Sequence, residues 1–258
     1  MRQTIRALGW IIAILWITTL LFPVTVAFSL MKLLEAKNIG IQETTISFSN
    51  GNFSLHMPFY INNTGFYDLS DIDINIQISR KNKTISSSSV HLPNVSAGTK
   101  ADSSFNFSVS LEELVLKDSE LLTNDAELDV NASLSLRVAY AIAFGTSVEF
   151  TTFWRAPFHN LTIYNLTYNM THVTFSVSFD NHISNQISGP LKVELYNSTN
   201  ALIGSATPQN VHILPQESFQ TSFAIKIADP TTMTHNGVIR IYFVGAQILE
   251  EKWTNFHE

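Results

Sequence analysis

The eight histidines are the residues best suited to metal binding or acid–base chemistry, and their spacing favours neither. No two lie four residues apart, as on a helical zinc site, and no H-E-x-x-H motif occurs. His56 and His172 hold equivalent outward positions in two similar segments, but exposed strand histidines are the simpler interpretation. The full set is His56, His91, His159, His172, His182, His212, His235 and His257.

Other motifs with possible chemistry fail on inspection. Asp71 and Asp73 resemble the start of an EF-hand loop, but Ile76 stands where that loop needs glycine and Asn82 where it needs a bidentate glutamate. The Ser-x-x-Lys pattern of acyl-enzymes occurs at 29–32, at the edge of an apolar segment. The chain has no cysteine, which excludes disulfides and thiolate sites. We therefore expect no catalytic residue, no metal site and no cofactor.

Acceptor motifs for N-glycosylation are more frequent than the composition predicts. The pattern N-x-[ST] occurs ten times, where about four are expected by chance, and every copy follows the apolar segment. The alternative is that turns rich in Asn, Ser and Thr generate the motif by accident. The candidate glycosylation sites are Asn52, Asn62, Asn82, Asn94, Asn106, Asn131, Asn160, Asn165, Asn169 and Asn197.

Five aromatic residues form a candidate contact surface for a partner. Tyr60, Phe66 and Tyr67 lie near an asparagine turn, and Trp154 and Phe158 lie near the middle of the chain. The structural alternative, which we favour, is that they cap the end of a sandwich or seal a seam between two domains.

Composition and charge narrow the class of protein. Hydrophobic residues make up 45% of the chain and charged residues only 14%, against about 25% charged in ordinary soluble domains. Instead there are 27 Ser, 24 Thr and 21 Asn, which suit strands and turns. The net charge of −6 and the scattered basic residues argue against a nucleic-acid partner.

The apolar segment predicts contact with a lipid bilayer through residues 7–31. These 25 residues carry no charge and form a helix of about 37 Å, enough to cross a hydrocarbon core of about 30 Å. Arg2 and Arg6 precede the segment, which predicts a cytoplasmic N-terminus and a cell-membrane protein with its C-terminal domains outside. The alternative is a signal peptide, cut after the small residues Thr25 and Ala27, and a secreted product.

Alternation of apolar and polar residues dominates after residue 45 and predicts antiparallel sheets with one buried face. Phe53 to Ile61, Ile72 to Ile78 and Val130 to Tyr140 each place every second side chain inward. One short helix is predicted from Leu111, with Ser110 as its cap. The fold class is all-β, with two tandem antiparallel β-sandwich domains of immunoglobulin or fibronectin type behind one transmembrane helix.

The second half of the chain repeats the first, with Asn62 aligned to Asn181 at an offset near 119. The matching segments are 53–63, 71–79 and 96–110, then 173–181, 191–197 and 215–227. This pattern resembles the group-2 late embryogenesis abundant family, including its water-stress/hypersensitive-response (WHy) domain. The Asn-Pro that usually follows the first strand there is Asn62-Asn63 and Asn181-His182 here.

The resemblance implies seven-stranded sandwiches that are often tethered to a membrane and act in stress tolerance or in lipid and partner contact, without catalysis. We expect a cytoplasmic stub and anchor at 1–38, a first sandwich at 39–153 and a second at 154–258. The expected function is a non-enzymatic, extracytoplasmic module that binds a partner or protects the envelope under stress. The alternative is a lipid-binding or lipid-transfer module at the membrane surface.

Overall fold

The computed structural model describes residues 2–35, 37–169 and 171–253, and the side chains from residue 6 onward. The chain begins with helix α1, Arg2–Leu33. Its segment Arg6–Leu33 is long and apolar enough to cross a membrane, with a mean hydropathy of 2.4. The hydroxyls of Thr18 and Thr19 donate to carbonyls one turn back, so these polar groups are satisfied within the helix.

The first sandwich consists of two four-stranded sheets that face each other. In one sheet, β3 pairs with β6 on one side and with β1 and β2 on the other; the second sheet has the order β5-β4-β7-β8, and all pairs are antiparallel. The strands are β1 Ile39–Ile41, β2 Thr45–Ser49, β3 Asn52–Asn62, β4 Leu69–Arg80, β5 Lys83–Val95, β6 Lys100–Ser110, β7 Ala126–Val138 and β8 Ile142–Trp154.

The second sandwich has the same arrangement. A three-stranded sheet of order β14-β10-β9 faces a sheet in which β11 pairs with β12, β13 and β15, and β15 pairs with β16. Its strands are β9 His159–Tyr168, β10 His172–Asp180, β11 Ile187–Asn197, β12 Leu202–Ser205, β13 Gln209–Ile213, β14 Ser218–Lys226, β15 Gly237–Phe243 and β16 Ala246–Trp253. The predicted all-β class with two tandem sandwiches is therefore confirmed.

A pair of buried asparagines fixes the register of the repeat. Asn63 donates its amide to the carbonyls of Tyr67 and Val95, and Asn181 donates to those of Asn185 and Ile213. The three positions correspond at an offset of 118, as do the strand pairs Met57–Phe105 and Phe175–Phe223. The predicted alignment of Asn62 with Asn181 was therefore wrong by one residue, because the asparagine that closes the turn is the second of the Asn62-Asn63 pair.

Strand faces follow the predicted alternation with one exception. Phe53, Phe59, Ile61, Ile72 and Val138 are buried where the pattern places them inward. Tyr140, also predicted inward, is 57% exposed. The reason is local: β7 ends at Val138, and Ala139 and Tyr140 adopt positive φ in the tight turn to β8.

The predicted helix begins where its cap requires. Helix α2 spans Leu111–Asp118, and the Glu113 N–H donates to Ser110 Oγ at 3.0 Å. Ser119 interrupts the helix, and a single turn, α3, continues from Glu120 to Thr123. A 3₁₀ turn at Pro230–Thr232 stands in the corresponding part of the second sandwich. Strand β8 ends at Trp154, so the linker between the sandwiches comprises residues 155–158.

Two clusters of buried side chains hold the chain together. One lies within the first sandwich and includes Val26 and Leu33 of α1. The other fills the second sandwich and extends into the first through Phe48, Phe53 and Leu111. Since buried side chains are continuous across the linker, the junction between the sandwiches is a packed interface.

Candidate functional sites

The anchor joint is the contact between the last three turns of α1 and the loop that joins β3 to β4, residues 63–68. Phe66 donates its backbone N–H to Ser29 Oγ at 3.0 Å, and the hydroxyls of Thr25 and Tyr67 are 2.7 Å apart. Asn38 extends the joint, because its amide donates to the Lys32 carbonyl and to Thr64 Oγ1. Ser29 is only 2% exposed, so these bonds are shielded from water.

Apolar packing reinforces the anchor joint. The rings of Phe22 and Tyr67 meet edge to face at 5.7 Å, and Val26 and Leu33 are 2% and 1% exposed. The Lys32 ammonium lies 4.5 Å from the centre of the Phe66 ring, a cation–π contact. A Cβ on Gly65 would lie 2.2 Å from Ser29 Oγ. The helix therefore approaches this loop as closely as a residue without a side chain allows.

The domain junction is built from aromatic side chains of both sandwiches. Phe158 is fully buried, with its ring edge to face against Phe179 at 5.3 Å and Phe243 at 5.1 Å. Trp154 packs edge to face on Phe53 and donates its indole N–H to the Leu121 carbonyl at 2.7 Å. A side chain as buried as Phe158 offers no surface to a partner, so its place in the candidate contact surface was wrong. The reason is that the linker places the Phe158 ring between the two sheets of the second sandwich, against Phe179 and Phe243.

A cluster of Asp125, His159 and His182 lies beside this junction, with ligand atoms within 4.8 Å of one another. Asp125 accepts from the Ala156 N–H at 2.7 Å and lies 2.9 Å from His182 Nδ1. Burial tends to raise the pKa of the Asp125 carboxyl, but the bonds from Ala156 and His182 and the nearby histidine charges outweigh it and lower that pKa. The cluster thus ties the first sandwich to the linker and to the second.

The ring geometry shows how far this cluster fits a metal ion. The imidazoles of His159 and His182 are stacked, with centroids 3.8 Å apart and planes 17° from parallel. A zinc ion lies in the plane of each imidazole at about 2 Å from its nitrogen, and two rings stacked face to face share no such point. Among the described residues, His159 Nδ1 is buried without a hydrogen-bond partner. As they stand, the three side chains form a hydrogen-bonded and stacked clamp, and a metal would have to turn both rings.

No sequence pattern predicts this clamp, because its members are separated by 34 and 23 positions and match no spacing motif. Only the folded linker brings the loop before β7 next to the start of β9 and the turn after β10. The one available signal was indirect: Ala156, Phe158 and His159 lie in the segment that joins the repeats, where residues of both copies must meet.

The open seam is a row of apolar side chains along one side of the first sandwich: Ile41, Ile46, Val148 and Phe150. Each is paired with a core-facing residue of the neighbouring strand, as in Ile46–Leu55 and Val130–Phe150, so each lies on the inner face. Their exposures are 61%, 44%, 57% and 48%, respectively. In the second sandwich, the residues of β9 at the positions of Ile41 and Ile46 are Ile163 and Tyr168, and both are half-buried. The first copy is therefore more open on this side than the second.

Strand β8, which forms one wall of the open seam, is an unprotected edge. It has 13 residues, pairs with β7, and ends its sheet. Glu149 is its one charged residue. Other edges carry the usual defences: β16 has Glu250, Glu251 and Lys252, and β5 contains Pro93. A long edge with a single charge beside exposed apolar side chains is typical of a strand-pairing site.

Two open hollows lie on the outside of the described chain and not between its sheets. One, of about 280 Å³, is lined by the β4–β5 turn and α2, including Lys81, Lys83 and Glu120. The other, of about 360 Å³, lies on the outer face of β4, β5 and β7, against serines and asparagines such as Ser87 and Asn75. Neither is the dry elongated cavity that a lipid-transfer module would need.

The candidate glycosylation sites differ in exposure. Eight are exposed: Asn52, Asn82, Asn94, Asn106, Asn131, Asn160, Asn165 and Asn169. Asn62 is half-buried and donates to Asn38 Oδ1. Asn197 is 7% exposed; its amide donates to the Thr232 carbonyl and its oxygen accepts from the N–H groups of Thr199 and Ala201. Asn197 was therefore a wrong candidate, because it holds its own turn together.

The candidate aromatic contacts fall in three separate places. Phe66 and Tyr67 belong to the anchor joint, and Trp154 belongs to the domain junction. Tyr60 lies on β3, where Lys100 is 4.6 Å from its ring centre and its ring covers Gly40 of β1, leaving no room for a Cβ. These residues do not form one surface. The open seam includes none of them and was not predicted from the sequence.

Fold and sites together define a class: two β-sandwiches of the same topology behind an N-terminal helix that is long and apolar enough to span a membrane. No family description and no curated protein matches the sequence. Among the solved structures that are similar to it is a Mobiluncus mulieris adhesin with intramolecular cross-links. The two share 7% identity and a TM-score of 0.31, and the match covers 80% of this chain and 79% of that one.

Two enzymes share the same distant likeness. A red sea bream transglutaminase is 10% identical with a TM-score of 0.28, covering 83% of this chain and 30% of its own. A glycosyl hydrolase family 2 member from Bacteroides cellulosilyticus is 13% identical with a TM-score of 0.29, covering 78% and 28%. This chain thus spans less than a third of either enzyme. At these scores the likeness is a distant similarity of fold and carries no function.

Proposed function

We propose that this protein is a single-pass, membrane-anchored, extracytoplasmic module without catalytic activity, which binds an extended segment of a partner protein along β8. The observation that carries the proposal is the open seam with its unprotected edge on the membrane-proximal sandwich. The resemblance to the group-2 late embryogenesis abundant family agrees with a tethered sandwich and stays a prediction.

The chemistry of the edge favours a polypeptide. The outward N–H and C=O groups of β8 have no partner strand among the described residues, and an added strand would satisfy them while its alternate side chains fill the seam. The side chains that would meet the partner are Ile46, Val148 and Phe150. An acyl chain can cover these apolar groups but offers the backbone no hydrogen bonds.

The packed connections between α1 and the two sandwiches support a role in which β8 is held in a fixed orientation for a partner. The anchor joint fixes the first sandwich to α1, and the domain junction fixes the second sandwich to the first. A module whose orientation is set from the bilayer outward presents β8 at one height above the membrane. Such a fixed edge lowers the entropic cost of pairing with a partner.

Placement is tested by protease treatment of intact cells that express the full chain. Cleavage of both sandwiches, with only a fragment near α1 protected, is the expected result. Survival of the whole chain would refute the extracytoplasmic placement. Retention of α1 in the mature protein, shown by its N-terminal peptides in mass spectrometry, would separate the anchor from the secreted alternative.

Partner binding is tested with a photo-crosslinking amino acid at Phe150 in cells. The matched control carries it at Leu116, which is 80% exposed on α2 and away from the seam. We expect a defined crosslinked species from position 150 and none from position 116. A further variant, Val148→Lys, charges the edge and should abolish the crosslink without loss of folding. Equal crosslinking at both positions would contradict the proposal.

The lipid-binding alternative remains a second candidate because the open seam is apolar. Native mass spectrometry of the intact protein, released from detergent, distinguishes the two. A bound acyl lipid that is lost on Val148→Lys would favour the alternative over strand pairing.

A further inference from the structure

The position of the anchor joint along α1 leaves too little free helix to cross a bilayer. Domain contacts begin at Phe22, whose ring packs against Tyr67. The uncharged helix before it runs from Ala7 to Leu21, 15 residues, or about 22 Å at 1.5 Å per residue. A hydrocarbon core of about 30 Å needs about 20 residues. The span is therefore about five residues short if the first sandwich stands clear of the membrane.

The missing length can come from either end of α1. Drawing Arg6 inward adds about one turn, at the cost of bringing its guanidinium toward the hydrocarbon. Continuing outward through Phe22 and Val26 adds residues that are uncharged and, apart from Thr25, apolar. This second route carries Tyr67 and the rest of the joint to the bilayer surface, because Tyr67 is held to Thr25 and Phe22.

The end of the first sandwich that would meet the bilayer has suitable chemistry. The loop from Asn63 to Tyr67 contains no charged residue, and Phe66 at its tip is 57% exposed. The β7–β8 turn lies beside it, since Ala139 donates its N–H to the Asp68 carbonyl at 3.0 Å, and Tyr140 in that turn is also 57% exposed. Aromatic residues are enriched at the level of the lipid headgroups.

Lys32 adds a positive charge at the same level. Its ammonium lies over the Phe66 ring, within the last turn of α1, where an anionic headgroup phosphate would be met. Asp68, the nearest acid on the loop, is half-buried and accepts from the Ala97 N–H at 2.8 Å, so it is turned toward the sandwich.

From these contacts we infer that the anchor-proximal end of the first sandwich, residues 63–67 with the turn at Tyr140, rests in the headgroup layer of the leaflet from which α1 emerges. The inference rests on the proposed membrane anchoring and goes beyond it. It makes the first sandwich a membrane-contacting domain with a fixed tilt, and Phe66 and Tyr140 its interfacial side chains.

Absence of native cysteine makes the test direct. Single cysteines are introduced into the full chain, labelled with a nitroxide and reconstituted in phosphatidylcholine–phosphatidylglycerol vesicles. Ala141→Cys probes the proposed contact while leaving Phe66 and Tyr140 in place. Ile14→Cys reports on the middle of the span. Leu116→Cys is the water control, because β3 runs 11 residues from the anchor joint toward α2, about 35 Å.

The collision rates of each nitroxide with dissolved oxygen and with a water-soluble nickel chelate show how deep the label lies in the bilayer. We expect position 141 to be shielded from nickel several-fold relative to position 116, with position 14 shielded further and rich in oxygen. Equal nickel access at 141 and 116, with 14 still deep, would overturn the inference and leave the anchor intact. Nickel access at position 14 would overturn both. Unchanged thermal unfolding of each labelled chain shows that the cysteine has not disturbed the fold.

Discussion

Removing the side chain of Asn181 should destabilise the protein far more than removing that of an exposed asparagine. The residue is fully buried; its amide donates to the carbonyls of Asn185, Ile213 and Leu214, and its oxygen accepts from the Ile183 N–H. Asn181→Ala leaves these groups without a partner in a site with little room for water. Each unmet buried group costs about 1–3 kcal/mol, and counting only the two most buried bonds at about 1–2 kcal/mol each gives a loss of about 2–4 kcal/mol.

The full chain in nanodiscs provides the assay, with urea unfolding for the free energy and thermal unfolding for the Tm, each followed by circular dichroism and by tryptophan fluorescence. A loss of about 3 kcal/mol corresponds to a fall in Tm of about 6–12 °C for a protein of this size. Asn63→Ala should cost a similar amount, since it removes the equivalent bonds to Tyr67 and Val95. The matched control is Asn94→Ala, an exposed asparagine, expected within about 0.5 kcal/mol of the parent. If Asn181→Ala behaved like this control, the asparagine would not hold the turn.

Three further predictions concern the other sites. The pKa of Asp125 is lowered, so its carboxylate stabilises the fold at neutral pH, and that stability is lost as the pH falls below about 4. Asp125→Asn should therefore cost about 1–3 kcal/mol at pH 7 and weaken the loss of stability that urea unfolding measures at acid pH. An unchanged loss of stability at acid pH in this variant would count against the clamp. Gly65→Ala should loosen the anchor joint and speed tryptic cleavage after Lys32 and Lys37, whereas Gly145→Ala, whose nearest neighbour is 3.9 Å away, should leave cleavage unchanged; equal rates would argue against close packing at Gly65. Mass spectrometry of native protein should find glycans among the eight exposed acceptor sites and none on Asn197; ten unmodified asparagines would remove the glycosylation hypothesis.

Local patterns predicted what depends on neighbours along the chain. Alternation marked the buried faces of β3, β4 and β7, and Ser110 marked the start of α2, because both signals come from residues within one element. The end of β7 was missed because alternation continues through Tyr140 in sequence while the backbone turns at Ala139. The pattern also did not show where α2 ends, which the structure places at Asp118.

Sites that depend on how elements meet could not be predicted. The open seam exists because the inner face of β8 extends past the facing sheet, so Val148 and Phe150 look buried by pattern and are exposed in space. The clamp of Asp125, His159 and His182 requires the linker geometry. Phe158 and Asn197 show the opposite error. Their local sequence predicts exposed positions, but strands or turns that are distant in the chain bury them.

The asparagine turn connects each sandwich to the element that precedes it in the chain. In the first copy, the segment that follows α1 is bound next to this turn, because the Asn38 carbonyl accepts from the Asn62 N–H at 2.6 Å. In the second copy, Ala156 stands 118 positions later, and its carbonyl accepts from the His182 N–H at 3.2 Å. Each sandwich thus uses the same loop to bind its predecessor, a helix in one case and a sandwich in the other. Because Asn63 and Asn181 hold these loops, loss of either asparagine should disturb both folding and the orientation of everything that follows.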